Sequence, residues 1–224
     1  MSVIHRTTLK PTKLELLTPW LPAQPWYAGA EGQRPELDRT GGFRLDDPAG
    51  EVGIEFMVVT DTSGPEPVSY HVPLTYRGAP LPGAEHALIG TTEHGVLGDR
   101  WVYDGAHDPV VAAQLYALLL GEAEPQMQRV SDTPDPSVVA RFTGQRDAAG
   151  PTVTSVTSVT DAPHGTDITL TTASGGGPLI LRVQRVLGPG EESDTEALGE
   201  VTADAPRPDG TRARAVFVTA HAQP

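Results

Sequence analysis

Two histidines among a crowd of carboxylates pose the first chemical question. His94 and His107 lie 13 residues apart, and Glu93, Asp99, Asp104 and Asp108 fall in the same stretch. Imidazole is the side chain that titrates near neutrality. A carboxyl group crowded by like charge holds its proton and can act as a general acid. If this stretch folds as a meander, His94 and His107 meet and form a site with Asp104. The competing reading has each histidine hydrogen-bonding a turn and each carboxylate solvated. No metal site is expected, because the seven histidines show no i, i+4 pair and cysteine is absent.

The aromatic residues raise a second question. Trp20, Trp26 and Trp101, with Tyr27, Tyr70, Tyr76 and Tyr103, all belong to the first half of the chain. Such rings stack on a sugar, anchor a partner protein or fill a core. Trp20 and Trp26 lie beside Pro19, Pro22 and Pro25 and are the two expected at the surface. The Ser174-Gly175-Gly176-Gly177 run would let backbone approach an anion. It lies between two strand signals and opens no helix, so a hairpin turn is expected instead. No Gly-x-Ser-x-Gly nucleophile elbow occurs.

Composition narrows the classes further. The 224 residues carry 29 acidic and 16 basic side chains, a net charge of −13. Like charge repels such a chain from phosphate backbones and anionic lipid, so neither nucleic acid nor membrane is an expected partner. The absence of cysteine gives no support for secretion. The N-terminus is polar within a few residues, so no signal peptide is expected. No apolar run approaches the roughly 20 residues of a membrane helix. The expected compartment is the cytoplasm.

With 24 glycines and 22 prolines the elements must be short. Strands are expected at residues 4–9, 43–46, 52–59, 68–76, 87–92 and 96–103, with Pro73 pushing its strand toward an edge or bulge. Leu14, Leu17 and Leu21 carry helical spacing, which the prolines then end. A clearer helix begins at Asp108, a capping carboxylate followed by Pro109. Val111, Leu115, Leu118 and Leu119 share one face, and Gly121 is a terminator. Residues 124–135 read as a linker. Strands follow at 138–142, 152–160, 166–172, 179–187 and 213–219, with a short helix at 196–203. The whole reads as α+β, antiparallel and β-rich, in two packed subdomains of residues 1–123 and 136–224.

Several separated motifs resemble a known family. They are Leu14-Glu15-Leu16-Leu17, Pro19-Trp20-Leu21, Gln24-Pro25-Trp26-Tyr27, Tyr70-His71-Val72-Pro73-Leu74-Thr75-Tyr76-Arg77 and Leu88-Ile89-Gly90-Thr91-Thr92-Glu93-His94-Gly95. Together they resemble the N-terminal cap domain of maltokinases and related sugar kinases over residues 5–122. The segment from Pro178 through Leu187 to Asp194 looks like the central strand and following loop of those kinases' N-lobe. There the resemblance implies a lysine that pairs with nucleotide phosphates, and Arg182 stands at that position. Arginine is a planar fork rather than a compact ammonium, so the exchange is not conservative.

Phosphoryl transfer needs a base and magnesium-holding side chains, which in this family lie in a large C-terminal lobe. Only 37 residues follow Leu187, without a His-x-Asp or Asp-x-Asp constellation. The expectation is therefore a non-catalytic cap-like module without cofactors, binding a protein partner in glucan, maltose or trehalose metabolism. The alternative is a small-molecule or sugar-binding protein, or an enzyme, with its site between the two units. Trp20, Trp26, His94, Trp101, Asp104, His107 and Arg182 are the candidate ligand-binding residues.

Overall fold

A computed structural model describes residues 8–29, 32–144, 152–173, 177–188, 195–207 and 210–223. The chain opens with β1 (Leu9–Lys10), α1 (Lys13–Trp20) and a single 3-10 turn (Leu21–Ala23). A meander follows: β2 (Leu37–Asp46), β3 (Gly53–Asp61), β4 (Val68–Arg77), β5 (Leu88–His94) and β6 (Gly98–Asp104). After α2 (Pro109–Leu120) come β7 (Gln126–Met127), β8 (Val139–Phe142), β9 (Val153–Asp161) and β10 (Gly165–Thr172). The last strands are β11 (Leu179–Gln184), β12 (Val186–Leu187), β13 (Gly199–Pro206) and β14 (Arg212–Ala222). Two antiparallel sheets result. The first has the order β1-β5-β6-β4-β3-β2-β7, with β12 also beside β4, and the second β8-β13-β14-β11-β10-β9.

The sequence pattern of β3 explains the layering. Ile54 to Asp61 is buried on both faces, the mark of a strand covered on both sides. Its Met57 and Val59 pack with Leu17, Leu21, Trp26, Tyr70 and Val72 under α1. Its Ile54, Phe56 and Val58 face the opposite way, into a core shared with α2 and the second sheet. In that core Phe43 and Phe56 stack at 4.6 Å, and Phe217 of β14 lies 5.8 Å from Phe43. The sheets thus pack through one continuous apolar layer.

α2 begins and ends where its signals place it. Asp108 accepts a hydrogen bond from the Val110 amide at 3.0 Å, Pro109 takes the first turn, and Gly121 closes the helix at φ 77°. The Asp108 carboxylate also takes a bidentate contact from Arg77 at 2.7 Å. Ala112, Tyr116, Ala117 and Leu120 are buried as well as the predicted face. The reason is enclosure: α2 lies between the sheets and packs against both edge strands of the second, β8 and β9.

Other elements depart from expectation for identifiable reasons. Pro73 lies inside a central strand rather than at an edge. The His71 amide points away from β3, toward the Arg185 carbonyl, and period-two alternation aims the missing N–H of Pro73 the same way. On that flank β4 pairs with β12 through Ser69 and Tyr70 and with β6 only from Leu74, so Pro73 falls in the gap. The strand predicted at 179–187 breaks at Arg185, where the chain leaves the second sheet and joins the first. The helix predicted at 196–203 is instead strand β13, its Val201, Ala203 and Ala205 turned inward and Thr202 and Asp204 outward. Pairing with β8 and β14 on either side overrides its helical propensity. The stretch read as a linker holds β7, which pairs with Phe43 and Arg44 of β2. The strand read at 4–9 lies mostly outside the described residues; Leu9–Lys10 forms β1 against β5. Of the glycine run at 174–177 only Gly177 is described, and β10 and β11 on either side of it pair antiparallel.

Candidate functional site

The junction of the two sheets is built around Arg185, which is fully buried. Its Nη2 donates to Asp104 Oδ1 and Oδ2 at 2.8 and 2.6 Å, and its Nε donates to Thr166 Oγ1 at 2.8 Å. Thr166 in turn donates to Asp161 at 2.5 Å. The guanidinium lies 4.9 Å from the centre of the Trp26 ring, within cation–π range. Asp104, at the end of β6, also accepts from the Ala106 amide at 3.2 Å and is 3% exposed. A charge this deep is tolerated only when paired and hydrogen-bonded, and the Arg185 backbone adds bonds to His164 and His71. These contacts join β4, β6, β10 and the β11–β12 corner.

His71 completes the junction. Its Nδ1 lies 2.9 Å from the Gln184 carbonyl, which can only accept, so Nδ1 carries a proton. Burial first, and then the positive charge of Arg185, push its pKa down from 6.5 to about 3. A histidine that stays neutral in the fold but charges when unfolded binds fewer protons in the native state. Stability is therefore complete above the unfolded value near 6.5 and falls as pH drops toward about 3. Between pH 7.5 and 5, where the carboxylates remain ionised, urea unfolding is expected to lose stability at up to about 1.4 kcal/mol per pH unit from this group. His71→Gln is expected to flatten the profile over that window. His107, whose pKa burial also lowers, contributes with the same sign.

The predicted residues divide between different places. His107 lies next to Asp104 along the chain and hydrogen-bonds His86 (Nε2···Nδ1 3.1 Å) in an edge-on pair. His94 is at the other end of the hairpin, since the register sets His94 against Gly98 but Leu88 against Tyr103. At about 3.4 Å per residue the two ends lie roughly 20 Å apart. His94 and His107 therefore do not meet. His94 Nδ1 accepts from the amides of Val96 and Leu97 at 3.3 and 3.0 Å, a turn-closing role.

Trp26, expected at the surface, is 1% exposed because the chain turns at Pro22 and Pro25 and tucks the ring beneath α1. It packs on Tyr70 at 6.0 Å and on half-buried Trp20 at 5.7 Å. Trp101 packs against Ala84, Ala87 and Tyr103. Arg182 forms a bidentate pair with Asp167 on the outer side of the second sheet, at 2.7 and 2.8 Å. The buried arginine is its neighbour three residues on.

A second polar site lies on the α1 side of the first sheet, in an open cleft of about 350 Å³. Its floor is Glu55 of β3, 3% exposed, which accepts from Lys13, from the Tyr76 hydroxyl at 2.6 Å and from Gln128 Nε2 at 2.9 Å. Burial alone would raise the Glu55 pKa, but Lys13 and the three hydrogen bonds outweigh it and hold the carboxyl below its ordinary range. The Tyr76 hydroxyl is driven well above its ordinary value by burial and by Glu55, and so stays a donor. Arg39, Arg44 and Arg129 also line this cleft. Arg44 bonds the carbonyls of Met127 and Val130 at 3.2 and 3.3 Å. The sequence reading singles out Asp104 but neither its partner Arg185 nor Glu55. The signals lie in two strand-forming runs: Arg185 is the second of two arginines in residues 179–187, and Glu55 is the one glutamate within the apolar run of β3.

Among the described residues no group of three metal-ligating side chains comes together, and no helix is long and apolar enough to cross a membrane. Fold and sites together define a β-rich α+β protein of two antiparallel sheets, with an ion pair sealing the junction between them. Residues 20–108 match the family model of the maltokinase N-terminal cap domain. The matched segment runs from the end of α1 through β6 to the Asp108 cap, and so takes in most of the first sheet. No curated protein matches the chain.

Proposed function

We propose that the chain is a maltokinase cap-like binding module that docks in the cytoplasm onto an enzyme of glucan, maltose or trehalose metabolism and modulates it in trans. In this reading the second sheet is a remnant of a kinase N-lobe that gives the cap a rigid base, and the protein itself catalyses no reaction. The observation that carries the reading is the cap-domain match over residues 20–108. An exposed apolar tip supports it: Val96 and Leu97, in the β5–β6 turn of the matched segment, are 61% and 46% exposed. Two adjacent exposed apolar side chains at a turn offer a partner apolar surface to cover.

Affinity capture from lysate of the source cells, followed by identification, tests the proposal. An enzyme of carbohydrate metabolism is expected in the eluate, and Val96→Asp is expected to reduce its capture about tenfold, as loss of an interface anchor does. Recovery of the chain alone, or capture unchanged by Val96→Asp, would count against it. A second reading, a sugar site between the units, draws on the His86–His107 pair beside Asp104. Calorimetric titration with maltose, glucosamine, or ATP with magnesium discriminates the two.

A further inference from the structure

The cleft on the α1 side of the first sheet concentrates positive charge in a strongly acidic chain. Lys13, Arg39, Arg44 and Arg129 line it, against a single carboxylate, Glu55. Four of the chain's 16 basic side chains thus face one cavity, although acidic residues number 29. Lys13 already neutralises Glu55. Arg44 is 8% exposed and bonds backbone carbonyls. Arg39 and Arg129 make no side-chain hydrogen bond or ion pair among the described residues. Elsewhere arginines commonly find carboxylates, as Arg77, Arg141, Arg182 and Arg185 do.

The cleft is also constructed rather than incidental. Gly42 holds φ 126°, and a Cβ there would lie 2.1 Å from the Phe56 carbonyl and 3.0 Å from Gln128 Nε2. Gly53 leaves space for the Tyr76 ring, which a Cβ would crowd at 3.3 Å. The floor is therefore a fixed array in which Glu55 is saturated by three donors from separate parts of the chain. The Arg39 and Arg129 guanidinium groups also line the cleft, and neither forms an ion pair among the described residues. Planar guanidinium forks are suited to the paired oxygens of a phosphate.

We propose that this cleft binds a small phosphorylated solute, its phosphate held by Arg39 and Arg129 over the Glu55–Tyr76–Gln128 floor. This inference is independent of the docking reading, because it concerns the isolated protein and a small anion. The test is titration of the full chain with inorganic pyrophosphate, followed by calorimetry and by backbone NMR shifts, at low salt because charge pairing is screened. Saturable binding is expected, with shifts centred on Tyr76 and Gln128. The Arg39→Gln/Arg129→Gln double variant, whose thermal unfolding checks that it folds, is expected to bind at least tenfold more weakly. Arg141→Gln/Arg214→Gln, which removes the same two charges from the outer face of the second sheet, is the control for net charge and is expected to bind like the unaltered chain. Absence of saturation at millimolar pyrophosphate, unchanged binding by Arg39→Gln/Arg129→Gln, or an equal loss in Arg141→Gln/Arg214→Gln would overturn the proposal.

Discussion

Arg185→Met is expected to destabilise the fold by about 4 kcal/mol, the scale for breaking a fully buried ion pair from one side. The variant leaves Asp104, 3% exposed, without its counter-charge, and removes the donor to Thr166 and the cation over Trp26. For a chain of this length that loss corresponds to a fall in Tm of about 10 °C. The double variant Asp104→Asn/Arg185→Met removes both charges and retains an oxygen for the Ala106 amide, so at least half of the loss should return. Urea unfolding followed by tryptophan fluorescence reads both. A loss below about 1.5 kcal/mol for the single variant would show that the junction does not depend on the pair.

Phe217→Ala probes the other bond between the sheets. Phe217 of β14 is wholly buried and lies against Phe43 of β2 and, at 4.6 Å, the His71 ring of β4. Truncating a buried phenylalanine costs about 3–5 kcal/mol, because the cavity collapses only in part. Both sheets contribute to this core, so the loss should appear as an earlier single transition with an unchanged denaturant slope. Two separated transitions would mean that each sheet holds its own stability.

The architecture was readable where local signals and tertiary packing agree. The Asp108–Pro109 start of α2 and its Gly121 stop were fixed by chemistry within a few residues. The strands of the meander appeared as apolar or alternating runs bounded by turns, and the same holds for β9, β10 and β14. The errors arose where distant pairing decides. β13 is a strand because β8 and β14 flank it, and Arg185 breaks the strand expected at 179–187 because its partner Asp104 lies 81 residues away in the first sheet.

The site was less legible for the same reason. Asp104 and His107 were recognised as chemically interesting, yet proximity along the chain misled for His94, which an antiparallel hairpin carries to its far end. Trp26 was expected outside because prolines surround it, whereas those prolines turn its ring inward. The Glu55 cleft draws on α1, β2, β3, β4 and the segment after β7. No spacing rule brings residues 13, 55, 76 and 128 together. What the sequence does offer is Glu55, a charge inside the apolar run of β3, and Arg185, the second arginine of the run 179–187, and each is the centre of a polar site.

The most direct test of the functional account is a binding measurement between two purified proteins. The carbohydrate-metabolic enzyme identified by capture should be mixed with the full chain and examined by sedimentation velocity, alongside Val96→Asp. The account predicts a discrete complex at micromolar concentrations and a changed rate for that enzyme, both lost in the variant. Independent sedimentation of the two proteins at tens of micromolar, with the enzyme's rate unaltered, would contradict it.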